Sequence, residues 1–174
     1  MGWTLECNLL RSLAVVLAGM GCLLHGIALS VTYWANVIQG STGEYEVGLW
    51  TDGCVKSCMR IFDYSDLDGY FMGTQAFVIL ALITGIASVL LPVIGAFISN
   101  KTFYMFAFIA CAITVVCLII AMSIFGGMFP DSVPARYSWD WAWGFYMTIG
   151  SIILFILSAL CNIYLTKTAS NYLV

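Results

Sequence analysis

Charged side chains are scarce in this chain of 174 residues, since Asp, Glu, Lys and Arg together make up only 9% of it. Soluble domains carry about 25% charged residues. The mean hydropathy is +0.99, and 62% of the residues are hydrophobic. Four stretches contain none of the four charged residue types, at 12–43, 69–100, 102–130 and 141–166. A soluble protein of this size could not cover so apolar an interior with polar surface, which excludes a soluble globular domain.

Each uncharged stretch exceeds the roughly 20 residues that a helix needs to cross a hydrocarbon core. The stretches are apolar all round, which argues against a soluble four-helix bundle with one polar face per helix. We predict a single tetraspan domain over residues 1–174, with spans near 10–33, 72–98, 103–127 and 142–166. The loops on the other side from the termini are then 34–71 and 128–141. We read the first span as an uncleaved signal anchor, because it is longer than the apolar region of a signal peptide.

Histidine is nearly absent, and the one histidine, His25, lies inside the first predicted span. No Cys/His zinc set can be assembled outside the membrane, and no Gly-rich phosphate loop occurs. A Ser/His/Asp arrangement would have to use a histidine within the bilayer. We therefore predict no enzyme, no cofactor, no metal and no nucleic-acid partner. His25 itself could handle protons or ions, because ionisable groups inside membranes are functional candidates. A neutral histidine bonded to a neighbouring helix explains it as economically.

The orientation of the spans follows from the cysteines rather than from the basic residues. Three basic residues fall on each side of the membrane: Arg11, Lys101 and Lys167 against Lys56, Arg60 and Arg136. The positive-inside rule is therefore not decisive. Cys54 and Cys58 lie in the large polar loop, where a disulfide forms only in an oxidising compartment. We predict a plasma-membrane protein with both termini cytosolic, in which the sequon at Asn100 lies in a cytoplasmic turn and stays unglycosylated.

The pair Cys54 and Cys58 is predicted to form a disulfide. A disulfide that closes so short a loop removes little entropy from the unfolded chain and therefore stabilises the fold only modestly. Its main effect would be to fix the local geometry for a partner or neighbour. Two alternatives remain, reduced thiols and metal binding, although no histidine is available outside the membrane to complete a metal site. The other cysteines lie in or beside the spans, and we expect them to be unpaired: Cys7, Cys22, Cys111, Cys117 and Cys161.

The first outer loop has the pattern of a small sheet. Residues 35–39 are a strand candidate, 40–43 have turn chemistry, and 44–47 alternate polar and apolar residues as a half-exposed strand does. Gly48 would be a bulge or a close backbone approach. Leu49 and Trp50 are expected to point toward the membrane surface, which tryptophan favours.

Two polar features suggest partners. The loop acids could attract cations or dock a basic partner, or simply solvate an extracellular face; they are Glu44, Glu46, Asp52, Asp63, Asp66 and Asp68. The last three resemble a calcium loop in spacing but lack its terminal bidentate Glu. At the C-terminus, Tyr172 and Val174 fit a PDZ domain, which takes a free apolar tail as an added strand. Chance alone also produces such tails.

The combined motifs resemble the claudin superfamily. They are Trp34, then Gly48-Leu49-Trp50, then two cysteines in the first loop of a four-span chain. This superfamily includes claudins, peripheral myelin protein, epithelial membrane proteins, the lens fibre membrane intrinsic protein and calcium-channel gamma subunits. The run 74–80 resembles the epithelial and myelin branch. The aromatic run 137–144 resembles that branch and the lens protein.

The resemblance implies an all-α membrane protein, a left-handed bundle of four transmembrane helices under a small extracellular antiparallel β-sheet. The chain departs from claudins at Gln75, where they usually carry Arg, and in its shorter first loop. Only three residues separate Cys54 from Cys58, fewer than in claudins. These departures point away from a paracellular pore and toward the myelin, epithelial and lens branch.

The function implied by this resemblance is cell–cell contact, junction formation or membrane organisation through the extracellular sheet. The expected partners are the lipid bilayer, further copies or other membrane proteins, and a PDZ scaffold at the C-terminus. One alternative is an auxiliary subunit of an ion channel or receptor. A third, less favoured function is a paracellular pore, which neutralising Asp66 or Asp68 would test.

Overall fold

The computed structural model describes residues 2–31, 34–39, 43–50, 64–98, 100–133, 135 and 137–171. These residues form four long helices and three short strands. In chain order the elements are α1 (Gly2–Ser30), β1 (Ala35–Gln39), β2 (Gly43–Val47), α2 (Tyr64–Ile98), α3 (Thr102–Ser132), β3 (Ser138–Trp141) and α4 (Trp143–Asn171).

All four helices are long and apolar enough to cross a membrane. Their apolar segments are Asn8–Ser30, Gly69–Ile98, Thr102–Ser132 and Trp143–Thr168. A backbone in hydrocarbon must satisfy its own hydrogen bonds, and a helix does so within one segment. The helices extend past the predicted spans at several ends; for example, α2 begins at Tyr64 rather than at residue 72. A helix can continue into the polar interface, where its side chains are hydrated, so its bounds need not match those of an uncharged run.

The helices pack in the ring order α1, α2, α3, α4, because α1 and α3 each make their main contacts with α2 and α4. Buried positions recur at alternating steps of four and three residues along α1, an average of 3.5 that is the period of left-handed helix packing. The buried positions of α1 are Ala14, Ala18, Gly21, His25 and Ala28. Four of these five are Gly or Ala, which lets the neighbouring backbones approach closely.

Side-chain hydrogen bonds join α1 to its neighbouring helices where the small residues let the backbones approach. Ser151 Oγ of α4 donates to the Gly21 carbonyl oxygen of α1 at 2.8 Å, and Ser158 Oγ donates to the Ala14 carbonyl oxygen at 2.9 Å. His25 Nε2 lies 2.9 Å from the Val78 carbonyl oxygen of α2. Because a carbonyl oxygen only accepts, His25 Nε2 is the donor, and the side chain joins α1 to α2.

The three strands form one antiparallel sheet in the order β2-β1-β3. The pairing of β1 with β2 places Asn36 opposite Glu46, and its pairing with β3 places Asn36 opposite Asp140. The sequence predicts β1 and β2, whereas β3 comes from the second loop and was not predicted as a strand. The sheet therefore links both loops at one end of the bundle. We call this the sheet end, and we call the end with the α2–α3 turn the turn end.

Candidate functional site

Trp34 fastens the sheet to the helices. Its side chain is fully buried, and its indole Nε1 donates to the Ala28 carbonyl oxygen at 2.7 Å. The carbonyls in the last turn of a helix have no partner within the helix, so this bond satisfies one of them at the end of α1. The Trp34 backbone N–H donates to the Val47 carbonyl at 2.8 Å, and its own carbonyl accepts from the Ala142 N–H at 3.0 Å. Trp34 thus joins α1 to β2 and to the start of α4.

An aromatic cluster lies beneath the sheet and continues the anchoring. Trp34 meets Phe125 edge to face, with ring centroids 5.3 Å apart, and Phe125 stacks on Phe129 at 5.2 Å. Trp141 of β3 stacks on Phe145 of α4 at 4.4 Å. The cluster comprises Trp34, Tyr70, Phe71, Phe125, Phe129, Trp139, Trp141 and Phe145. Aromatic pairs add roughly 0.5–1.5 kcal/mol each beyond area burial, so the cluster holds the sheet rigidly on the bundle.

The Gly48-Leu49-Trp50 motif divides between the interior and the surface. Leu49 is 2% exposed and packs within the core cluster, whereas Trp50 is 46% exposed. Gln75 Nε2 of α2 donates to the Leu49 carbonyl oxygen at 2.6 Å. The expectation that Leu49 points toward the membrane surface is therefore wrong, because the side chain fills the space beneath the sheet. The same hydrogen bond shows that Gln75 holds the segment after β2 against α2.

A second hydrogen bond joins α2 to α3 at the sheet end. The Tyr70 hydroxyl lies 3.0 Å from Ser132 Oγ. Ser132 Oγ donates its own proton to the Phe129 carbonyl oxygen at 2.7 Å, so Tyr70 is the donor to Ser132. This bond joins the first turns of the apolar part of α2 to the last turn of α3.

The outward face of the sheet is polar and acidic. Side chains alternate along each strand, so Ala35 and Val37 are buried beneath the sheet while the residues between them face away. The pairing aligns Glu46, Asn36 and Asp140 in one row across the three strands. The neighbouring row aligns Glu44, Ile38 and Ser138. Asp140 and Ser138 are exposed, whereas Asn36, Ile38 and Glu46 are partly buried. Among the described residues, these two rows form the outward face of the sheet.

The other predicted site residues are only partly described. Glu44 lies on β2, and Asp66 and Asp68 lie in the first turns of α2, but their side chains are outside the described part. Cys54, Cys58, Asp52, Asp63, Tyr172 and Val174 lie outside the described residues altogether. The predicted disulfide, the calcium-like spacing and the PDZ tail therefore remain predictions.

Some site residues were not singled out from the sequence. Phe125 and Phe129 lie inside an uncharged run, where a buried aromatic residue and a lipid-facing one look alike. In β3, Ser-Trp-Asp-Trp alternates with period two, and this was the one signal for a third strand. The partner of β3 lies about a hundred residues earlier in the chain, and sequence proximity could not supply it.

Metal-ligating side chains and cysteines also occur among the described residues. Among them, no group of three His, Cys, Asp or Glu side chains could hold a metal ion. The cysteines at 22, 111, 117 and 161 are free. Most of the side-chain hydrogen bonds described above join one element to another, and exposed Ser138 and Asp140 lie on the outward face of the sheet.

The four apolar helices and the sheet joining their connections define a multi-pass membrane protein of the tetraspan class. Residues 7–161 match the PMP-22/EMP/MP20/Claudin family, and the chain belongs to this family. The resemblance seen in the sequence is thereby confirmed at the level of the family. No individual curated protein matches the chain.

Proposed function

We propose that this protein organises contacts between cells, or between neighbouring membrane proteins, through the outward face of its sheet. The observation that carries the proposal is the construction of that face. Two separate loops contribute strands to it, and Trp34 with the aromatic cluster fixes it to the bundle. A preorganised surface loses little conformational freedom on binding, which favours recognition by a partner.

The proposed orientation places the sheet outside the cell and both termini in the cytosol, in the plasma membrane. The distribution of charge along the bundle supports a functional difference between its two ends. Among the described side chains, the sheet end carries the acids Glu46, Asp131 and Asp140, whereas the turn end carries the basic residues Arg11, Lys101 and Lys167. An acidic outer face suits a partner with basic groups. Self-association would use basic residues of a second copy, and Arg60 and Arg136 are available in the outer loops of the sequence.

The experiment is expression of the full chain in cells that do not normally adhere. Accumulation of the protein at contacts between two expressing cells, with strands or arrays in freeze-fracture images, supports the proposal. A uniform surface distribution with stoichiometric co-purification of a channel or receptor would instead support an auxiliary subunit. No enzymatic activity is proposed for the protein.

A further inference from the structure

Arg11 is a charged side chain within an apolar helix segment. It directly precedes the uncharged stretch 12–43, near the turn end. A long basic side chain at the edge of an apolar segment reaches the depth of the interface. A charge at this depth requires a partner that compensates its partial loss of water.

The side chain of Arg11 is held in place by α3. Its guanidinium carbon lies 5.3 Å from the centroid of the Tyr104 ring. Tyr104 is buried and packs with Ala14 of α1 and Leu165 of α4, so the ring cannot move away. Stacking on an aromatic face orients the planar guanidinium, whose two terminal Nη groups can donate parallel hydrogen bonds.

No carboxylate among the described side chains balances Arg11. The Arg11 Nε atom is buried without a hydrogen-bond partner in the described structure. Lys101 lies one turn before Tyr104, and Lys167 is near the end of α4 at the same end of the bundle. In the sequence, Glu6 is the one acid on this side, against these three basic residues. The turn end thus has an excess of positive charge at the depth of lipid headgroups.

We propose that Arg11, oriented by Tyr104, binds the phosphate of an anionic phospholipid in the leaflet at the turn end. Guanidinium and phosphate match as a two-bond pair, and basic residues near the membrane surface attract anionic lipids. The identification of this leaflet as the cytoplasmic one rests on the proposed orientation. The existence of the binding site does not rest on that orientation, because lipid can reach both ends of the purified protein in detergent.

The test uses the purified full chain in mild detergent, with phosphatidylserine, phosphatidylcholine and inorganic phosphate as separate probes. Bound lipid per protein is measured by native mass spectrometry during titration. We expect a preference for phosphatidylserine, because it has a net negative charge and phosphatidylcholine is neutral overall. Arg11→Gln should weaken this preference by roughly fivefold, the effect of one basic residue near a membrane surface. Tyr104→Leu should weaken it in the same direction, whereas Tyr104→Phe, which keeps the ring, should not.

Lys167→Gln is the matched control, because it removes one exposed positive charge at the same end. Equal losses for Arg11→Gln and Lys167→Gln would overturn the proposal, as would equal binding of the two lipids. Full displacement of phosphatidylserine by inorganic phosphate would show a free-anion site and also overturn it. Where Arg11→Gln lowers the yield of folded protein, Arg11→Lys supplies the comparison. The preference of the Arg11→Lys variant for phosphatidylserine should fall because lysine lacks the planar guanidinium. A preference equal to that of the wild type contradicts the proposal.

Discussion

At the scale of single residues, Trp34 explains why a short polar loop folds at the end of an apolar bundle. Its indole completes the hydrogen bonding of α1, and its backbone bonds to β2 and to the chain just before α4. The sequence identified Trp34 as a family motif. The identity of its partners could not be predicted, because Ala28 and Ala142 carry no distinctive side chain and contribute through backbone atoms.

Replacing Trp34 by Phe should destabilise the protein by about 1–3 kcal/mol, because the Ala28 carbonyl is left buried without its donor. The measurement is thermal unfolding of the purified chain in mild detergent. Trp50→Phe is the matched control, since Trp50 is 46% exposed, and it should change stability by less than about 0.5 kcal/mol. Equal effects of the two substitutions would show that the Trp34 bond contributes nothing specific.

At the scale of the elements, one aromatic side chain of α4 packs between α1 and α2. Phe155 is fully buried between Gly21 of α1 and Gly85 of α2. A Cβ atom on Gly85 would lie 3.0 Å from Phe155 Cζ and 3.2 Å from Cys22 Sγ, and one on Gly21 would lie 3.2 Å from Phe155 Cε2. Because Phe155 is packed from both sides, a methyl group at either glycine would force Phe155 or its neighbours to shift.

Gly85→Ala should therefore destabilise the bundle by roughly 1–3 kcal/mol, the range for overpacking a filled interior. Gly26→Ala is the control on α1, because a Cβ there meets nothing within 4 Å. It should be neutral or stabilising by up to about 1 kcal/mol, since alanine favours the helix. Unfolding midpoints in one detergent would compare them, and a stable Gly85→Ala variant would contradict the tight contact at Phe155.

The elements also show which parts of the fold a sequence can predict. The helices could be predicted because each uncharged run is long enough to span a membrane, and β1 and β2 because of their turn residues and alternation. β3 has four residues, and its partner is distant in the chain. The aromatic cluster was equally hard to foresee, because inward and outward aromatic residues within an apolar helix have the same sequence signal. The assembled site therefore required the tertiary structure.

At the scale of the whole molecule, the proposed orientation predicts which segments are accessible from outside the cell. Epitope tags at the two termini should bind antibody only after the membrane is permeabilised. The sequon at Asn100 should carry no glycan, because it lies at the turn end, where the Asn100 side chain accepts a hydrogen bond from the Thr102 N–H at 3.0 Å. A glycan at Asn100, or tags that bind antibody on intact cells, would reverse the orientation.

The central claim is that the outward face of the sheet makes the contact, and one paired substitution tests it most directly. Asp140 is exposed on β3, and Asp131 is exposed near the end of α3, off the sheet. Both should be changed to Lys, and accumulation at contacts between expressing cells should be measured at matched surface levels. Asp140→Lys should abolish the accumulation, because it reverses a charge in the row with Asn36 and Glu46, whereas Asp131→Lys should preserve it. Accumulation that survives Asp140→Lys, or is lost equally in both variants, would contradict the account.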